Sequence, residues 1–212
     1  MRPGTVALVD YGAGNLRSVQ NALARLGVPH EVTASPEAVR RADAVVFPGV
    51  GEASSAMAVL ARTGLGEAIR EAWRAGRRLI GICIGCQVIF DRSEEGGTPC
   101  LGLLPGVVRR FAPRAGLKVP HMGWNTVRFA DHPALRGVPA GTSFYFVHSF
   151  YPVPEDERLV VGTTEHGVQF ASCIAAGNLI AFQFHLEKSG PAGLALLGAC
   201  LAWDGRGSTE CC

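Results

Sequence analysis

Apolar positions in this chain come in short blocks at first, separated by longer stretches with helical spacing. Residues 5–10 form an apolar run that reads as a strand. A helix follows, with Leu16, Val19, Leu23 and Leu26 on one face, closed by Gly27 with Pro29 just beyond. Residues 30–33 read as a second strand. Residues 44–47 read as a third; being all apolar, it belongs in the middle of a sheet. Helical periodicity returns over 54–62 and 65–73, the latter presenting Leu65, Ile69, Ala72 and Trp73. Residues 78–82 are a fourth buried strand, and 84–92 read as a short helix. After Arg92 the texture changes. Residues 93–105, rich in Gly, Glu and Pro, read as a loop. Short strands follow at 107–111, 125–129, 143–147, 159–164, 168–174 and 179–184, with a turn at 175–178. A last helix over 191–203 opens with proline and places Leu194, Leu197 and Leu201 at helical spacing. Strand–helix alternation followed by short strands predicts a three-layer α/β/α fold, its mostly parallel central sheet extended by antiparallel strands. The expected organisation is a single domain over 1–204 and a polar tail over 205–212.

Composition narrows the function classes. The chain has 212 residues, 48% hydrophobic and 18% charged, enough to bury a sizeable core. Its formal net charge is only +2, with no basic block, so nucleic acid is not an expected partner. No apolar run approaches the ~20 residues of a membrane span, and the first ten residues are too short for a secretory signal. The expectation is a cytoplasmic protein. Seven cysteines, an odd number and scattered, fit reduced thiols rather than a disulfide framework. Cys83 and Cys86 lack a second nearby pair of ligands, since Cys211 and Cys212 lie on the polar tail, so no metal site is expected. Gly12 and Gly14 begin a dinucleotide fingerprint, but Arg17 stands where the third glycine belongs. They read as a tight turn beside a site, and no cofactor is expected.

The candidate chemistry centres on Gly81-Ile82-Cys83-Ile84-Gly85. A strand precedes Cys83 and a helix follows, with glycine two residues to either side. That is the pattern of a nucleophile elbow, a turn so tight that flanking side chains would collide. It would push the sulfur out at the carboxyl end of the sheet and at a helix start, where negative charge is favoured and the thiolate gains. Two other readings stand beside it. Most free cysteines are simply packed in cores, and Cys83-Ile84-Gly85-Cys86 is also a C-x-x-C that would suit a thiol–disulfide enzyme. Gly49 and Val50, in Pro48-Gly49-Val50-Gly51 after the third strand, could supply backbone N–H groups beside the elbow for an oxyanion.

The base should decide between these readings. Of six histidines, His30 and His132 sit in polar, turn-like contexts that predict surface positions, and His121 and His148 read as packed and hydrogen-bonded. His185 ends a near-continuous apolar strand, where chemistry collects in such sheets. Glu187 follows two residues later; on an extended strand end it would share a side with His185 and orient its ring. Cys83, His185 and Glu187 thus make a candidate Cys-His-Glu triad.

The stretches Gly81–Gln87 and Gln183–Ser189 resemble the class I (triad) glutamine amidotransferases. Three more, at 10–16, 48–51 and 120–125, are similar to one branch of that family, the glutaminase subunits of histidine biosynthesis. The resemblance spans about residues 5–203. It implies that Cys83 attacks the side-chain amide of L-glutamine, that His185 moves the protons, and that Glu187 orients the ring. Gly49, Val50 and Ile84 would form the oxyanion hole. Gln87, Thr164, Glu165 and His166 would hold the amino-acid end of the substrate. Ammonia would pass to a (β/α)8-barrel cyclase partner in a heterodimer, there to join a phosphoribulosyl-formimino intermediate. Met122, Trp124 and Asn125 would touch that partner. The sequence departs from the family pattern at Cys86 where methionine is usual, at Leu186 in place of a proline between triad residues, at His166 where tyrosine is common, and in the Glu52-Ala53-Ser54 continuation after the Gly49–Gly51 stretch. A triad glutaminase serving another synthase, a thiol–disulfide enzyme and an inactive regulatory subunit remain the alternatives.

Overall fold

The protein is described from a computed structural model covering residues 4–12 and 14–206. Most of the expected tail, including Cys211 and Cys212, lies outside the described residues.

The first half alternates, with one helix more than expected between its second and third strands. β1 (Val6–Val9), α1 (Leu16–Arg25), β2 (His30–Thr33), α2 (Pro36–Arg41) and β3 (Ala44–Gly49) lead to α3 (Ala53–Thr63), α4 (Leu65–Arg74) and β4 (Arg78–Cys83). The single helical turn α5 (Ile84–Gln87) follows β4 directly. Then come β5 (Arg92–Ser93), β6 (Thr98–Pro99), β7 (Gly106–Arg110), β8 (His121–Thr126), β9 (Arg128–Phe129), β10 (Ser143–His148) and β11 (Phe150–Pro154). The chain closes with β12 (Val160–Glu165), β13 (Gln169–Ala176), β14 (Leu179–Phe182) and α6 (Gly190–Ala202).

The main sheet has the order β2-β1-β3-β4-β14-β13-β12-β9. From β2 to β14 all pairings are parallel; beyond β14 they are antiparallel. Side chains alternate between two cores, one on each face. Val6, Leu8, Val46, Ile80, Ile82 and Phe182 pack with α1 and α6. Ala7, Val9, Val45, Phe47 and Leu79 pack with α2, α3 and α4. Burial on both faces is why these strands read as continuous apolar runs and not as alternating ones. Each fully buried Leu, Ile, Val or Phe contributes about 1.5–3 kcal/mol. A separate antiparallel ribbon, β8–β10, and a small sheet of order β11-β7-β5-β6 lend Val147, His148 and Phe150 to the cavity that Cys83 opens onto at the end of β4. The ribbon is tied to the main body where the His185 N–H donates to the Tyr145 carbonyl at 2.9 Å.

The structure corrects several expectations. The helix expected over 84–92 stops after one turn, because the carbonyls of Val88, Ile89 and Phe90 accept from the N–H groups of Leu101, Leu103 and Gly102 instead of continuing a helix. The loop over 93–105 contains the β5–β6 hairpin. α2 escaped the periodicity because only Val39 of its six residues is buried. β11 carries Pro152 and Pro154, which an edge strand tolerates since an outward-facing N–H has no ladder partner. His132 is buried, not on the surface; its Nδ1 accepts from the Ala134 N–H.

Candidate active site

Parallel strands β3, β4 and β14 end side by side, and Gly49 pairs with Cys83 in register. Cys83 is both the last residue of β4 and the cap of α5, at φ 55° and ψ −105°. A non-glycine residue there is strained by about 1–3 kcal/mol and persists only because its surroundings over-determine it. Packing explains the flanking glycines. A Cβ at Gly85 would overlap the Phe47 carbonyl, and one at Gly81 would sit 2.7 Å from the Gly85 carbonyl oxygen. Cys83 opens onto a cavity of about 290 Å³, with Val50, Gly51, Ile84, Gln87 and His185 on its walls. Pro120, Val147, His148, Ser149, Phe150 and Glu95 complete the lining. The space suits a molecule of amino-acid size rather than a nucleotide.

His185 and Glu187 meet, though not by the expected route. Residues 186–188 form a turn of 3-10 helix, so the two side chains approach across that turn rather than along an extended strand. His185 Nδ1 lies 2.7 Å from Glu187 Oε1. Leu186, where the family has proline, is buried and leaves that distance short. Asn15, in the left-handed conformation at the start of α1, donates from Nδ2 to the same Glu187 oxygen at 2.6 Å. Because Glu187 accepts at Nδ1, the other ring nitrogen of His185 is the one turned to Cys83. Burial alone would push His185 down; the neighbouring sulfur, followed by Glu187, outweighs it and holds the imidazolium above its ordinary range. Nε2 nevertheless makes no full hydrogen bond, a looseness common before substrate binds.

Gln183 supplies the sulfur's other polar neighbour. This wholly buried amide donates to Cys83 Sγ at 3.8 Å. Gln87 Nε2 donates to Gln183 Oε1 and to the Phe150 carbonyl, each at 3.0 Å. Tyr11 places its buried hydroxyl where a side chain on Gly49 would sit, and its phenol is pushed above its ordinary range by burial and by Cys83. Glu95, at the cavity wall, accepts from the Ala53 N–H at 2.7 Å, and burial raises its carboxyl.

Gly49, Val50 and Ile84 therefore stand beside Cys83, and Gln87 lines the same cavity. Thr164, Glu165 and His166 do not line it. Thr164 donates to Ser172, and His166 stacks on His121 with centroids 4.2 Å apart. Met122 and Trp124 are 63% and 60% exposed on β8, with Asn125 beside them. Cys86 is sealed in the core and its thiol is driven far up by burial, which removes the thiolate that disulfide exchange requires. Among the described residues no group of three or more His, Cys, Asp and Glu side chains is placed to hold a metal ion, and none of the helices is long and apolar enough to cross a membrane. Asn15, Gln183 and Glu95 were missed in the sequence. Gln183 had a signal, a lone polar residue inside an apolar strand; Glu95, one acidic residue among several in a loop, had none.

Comparison with known proteins places this geometry. The profile of the family described as "Glutamine amidotransferase class-I" matches residues 7–201, and the chain belongs to that family. The HisH subunit of imidazole glycerol phosphate synthase from Moorella thermoacetica is 55% identical over 199 residues, covering 93% of each chain. That of Nitrosococcus oceani is 47% identical over 206 residues, covering 95% of this chain and 98% of its own. Within the amidotransferases the chain is thus one of the HisH subunits of imidazole glycerol phosphate synthase. Two solved structures share its fold. One, described as a glutamine amidotransferase, is 21% identical with a TM-score of 0.69, covering 92% of this chain and 98% of its own. The other, PurLQS from Thermotoga maritima, is 20% identical with a TM-score of 0.71, covering 95% of this chain and 99% of its own.

Proposed function

We propose that the chain is a glutaminase whose ammonia is consumed by a cyclase subunit, with Cys83, His185 and Glu187 as its reacting triad. The observation that carries this reading is the convergence of Cys83 and His185 from the ends of adjacent parallel strands, with Glu187 2.7 Å from the ring. Cys83 passes its proton to His185, and the thiolate attacks the side-chain amide carbon of glutamine. The carbonyl oxygen becomes an oxyanion, held by backbone N–H groups of Ile84 and the Gly49–Val50 region. As the C–N bond breaks, His185 gives its proton to the leaving nitrogen and ammonia departs. Water, deprotonated by His185, then attacks the thioester, releasing glutamate and restoring the thiol. Glu187 keeps the ring in the tautomer and orientation both halves require. Gln87 acts on the amino-acid end from the cavity wall, whereas Thr164, Glu165 and His166, which lie off that wall, are given no part in holding it. Glu95 suits the substrate's ammonium.

The partner is a (β/α)8-barrel cyclase in a heterodimer, docked over Met122, Trp124 and Asn125; exposed tryptophan is the residue type that anchors interfaces. Residues 1–204 act as one amidotransferase domain, with the 205–212 tail outside it, and the protein works in the cytoplasm. The test is glutamate release from glutamine with and without a cyclase subunit and its ligand. We expect turnover to rise at least tenfold when both are added; no stimulation overturns the partner assignment.

A further inference from the structure

Polar groups behind the cavity form one continuous hydrogen-bonded chain that ends on the sulfur. It starts on β8, where Asn125 Nδ2 donates to the Glu165 carbonyl at 2.9 Å and reaches His121 Nε2 at 3.1 Å. The Thr126 N–H donates to Asn125 Oδ1 at 2.8 Å, so backbone groups fix which end of that amide is which. His121 Nδ1 is 2.9 Å from His148 Nε2, and His148 Nδ1 is 2.7 Å from the Phe150 carbonyl. That carbonyl also accepts from Gln87 Nε2, whose second bond is to Gln183 Oε1; Gln183 Nε2 then meets Cys83 Sγ.

The direction of every link follows. A carbonyl can only accept, so His148 must carry its proton on Nδ1 and accept on Nε2. His121 must then donate from Nδ1 and accept the Asn125 N–H on Nε2. Gln87 must turn its NH2 to Phe150, which leaves Gln183 no orientation but oxygen toward Gln87 and NH2 toward the sulfur. The histidine links keep their polarity only while both rings are neutral; the links from the Phe150 carbonyl to the sulfur do not depend on them. Burial keeps the rings neutral, holding His121 at about 4 and His148 at about 3.

We infer that Gln183 is a further catalytic residue, whose N–H stabilises the Cys83 thiolate, and that Gln87, whose amide the Phe150 carbonyl orients, is the positioning residue that forbids the opposite amide orientation. An N–H donor favours sulfur in its charged form, whereas a carbonyl oxygen would oppose it. The inference deepens the glutaminase reading and rests on Cys83 being its nucleophile. Other titratable groups surround the sulfur: His185 with Glu187 behind it, Tyr11 after β1, Cys86 on α5, and Glu95 and His148 on the cavity wall. All except His148 stay in place in every variant below.

The test is the pH dependence of Cys83 alkylation by iodoacetamide, followed on the Cys83 peptide by mass spectrometry in the full-length chain. Gln183→Met keeps the volume and removes the donor; the thiolate midpoint should rise by about one pH unit, the tenfold that a charge-assisted hydrogen bond is worth. Gln183→Glu, nearly isosteric, should raise it further. His148→Phe, which fits among the rings of Phe111, Phe146 and Phe170, leaves the Phe150–Gln87–Gln183 links intact and should leave the midpoint where it is. A purely structural role would lower the melting temperature and leave the midpoint alone. A folded Gln183→Met chain with an unmoved midpoint overturns the inference; if that variant does not fold, an unmoved or lowered midpoint in Gln183→Glu does so. Wild-type glutamine turnover with a cyclase subunit and its ligand present is read in parallel. Turnover with an unmoved midpoint sinks only this inference, and a moved midpoint without turnover sinks only the glutaminase reading.

Discussion

The carboxyl end of the parallel strands and the β8–β10 ribbon border the same cavity, yet they treat buried and exposed groups in opposite ways. Around Cys83, Tyr11 Oη, His185 Nε2 and Glu187 Oε2 are buried without a hydrogen-bond partner. On the ribbon, His121, His148 and Asn125 are all hydrogen-bonded, while the apolar Met122 and Trp124 stand in solvent. An unpaired buried polar atom costs about 1–3 kcal/mol; of these three residues only His185 faces the cavity, so only its nitrogen is open to a partner there. Exposed apolar surface marks a place where something else completes the burial. Under the proposed function the first region is the substrate's and the second the partner protein's.

Four substitutions break or sharpen that contrast. The largest effect belongs to the first region. Cys83→Ser should lower glutamate release at least about 10³-fold, and it should also lower the midpoint of the His185 titration followed by NMR. The sign follows from the charge pair. His185 is held above its ordinary value chiefly by the sulfur, so its charge supports the fold fully below pH 6.5 and fades as the pH climbs toward the raised value. Loss of the sulfur's charge narrows that window. Next comes the ribbon: Trp124→Ala should weaken cyclase binding about 30-fold by calorimetric titration, as for an interface anchor worth about 2 kcal/mol. If affinity is unchanged, the exposed pair is not the docking point. Asn15→Gly tolerates the φ of 74° while deleting the amide that holds Glu187. It should cost about tenfold in kcat with KM little changed, and a KM effect instead would assign Asn15 to substrate. Cys86→Ser should act least, keeping glutaminase activity within about twofold while the melting temperature drops, because a hydroxyl is buried in an apolar site. Its inactivity would revive the thiol–disulfide reading.

How far the chain was readable depended on how local each cause was. The parallel strands announce themselves because burial on both faces demands uninterrupted apolar residues such as 44–47. The glycine-flanked turn at Cys83 was half local: Gly81 answers to the Gly85 carbonyl four residues on, but Gly85 answers to the distant Phe47 carbonyl. His185 and Glu187 meet across a 3-10 turn and not along the extended strand end that the sequence suggested; adjacency survives either way. Other features depend on distant partners. The Val88–Phe90 carbonyls end α5 only because residues 101–103 lie opposite them. Asn15 serves Glu187 across 172 positions, and Gln183 serves Cys83 across 100. Nothing in the local pattern encodes such meetings.

The backbone at Cys83 carries one last implication. Glycine adopts φ 55° and ψ −105° more readily than any side-chain-bearing residue. Cys83→Gly should therefore recover part of the roughly 1–3 kcal/mol tied up in that contortion. A dead protein that melts later than the living one would mean this molecule holds together in spite of its reaction centre, with durability given up at the single residue where turnover begins.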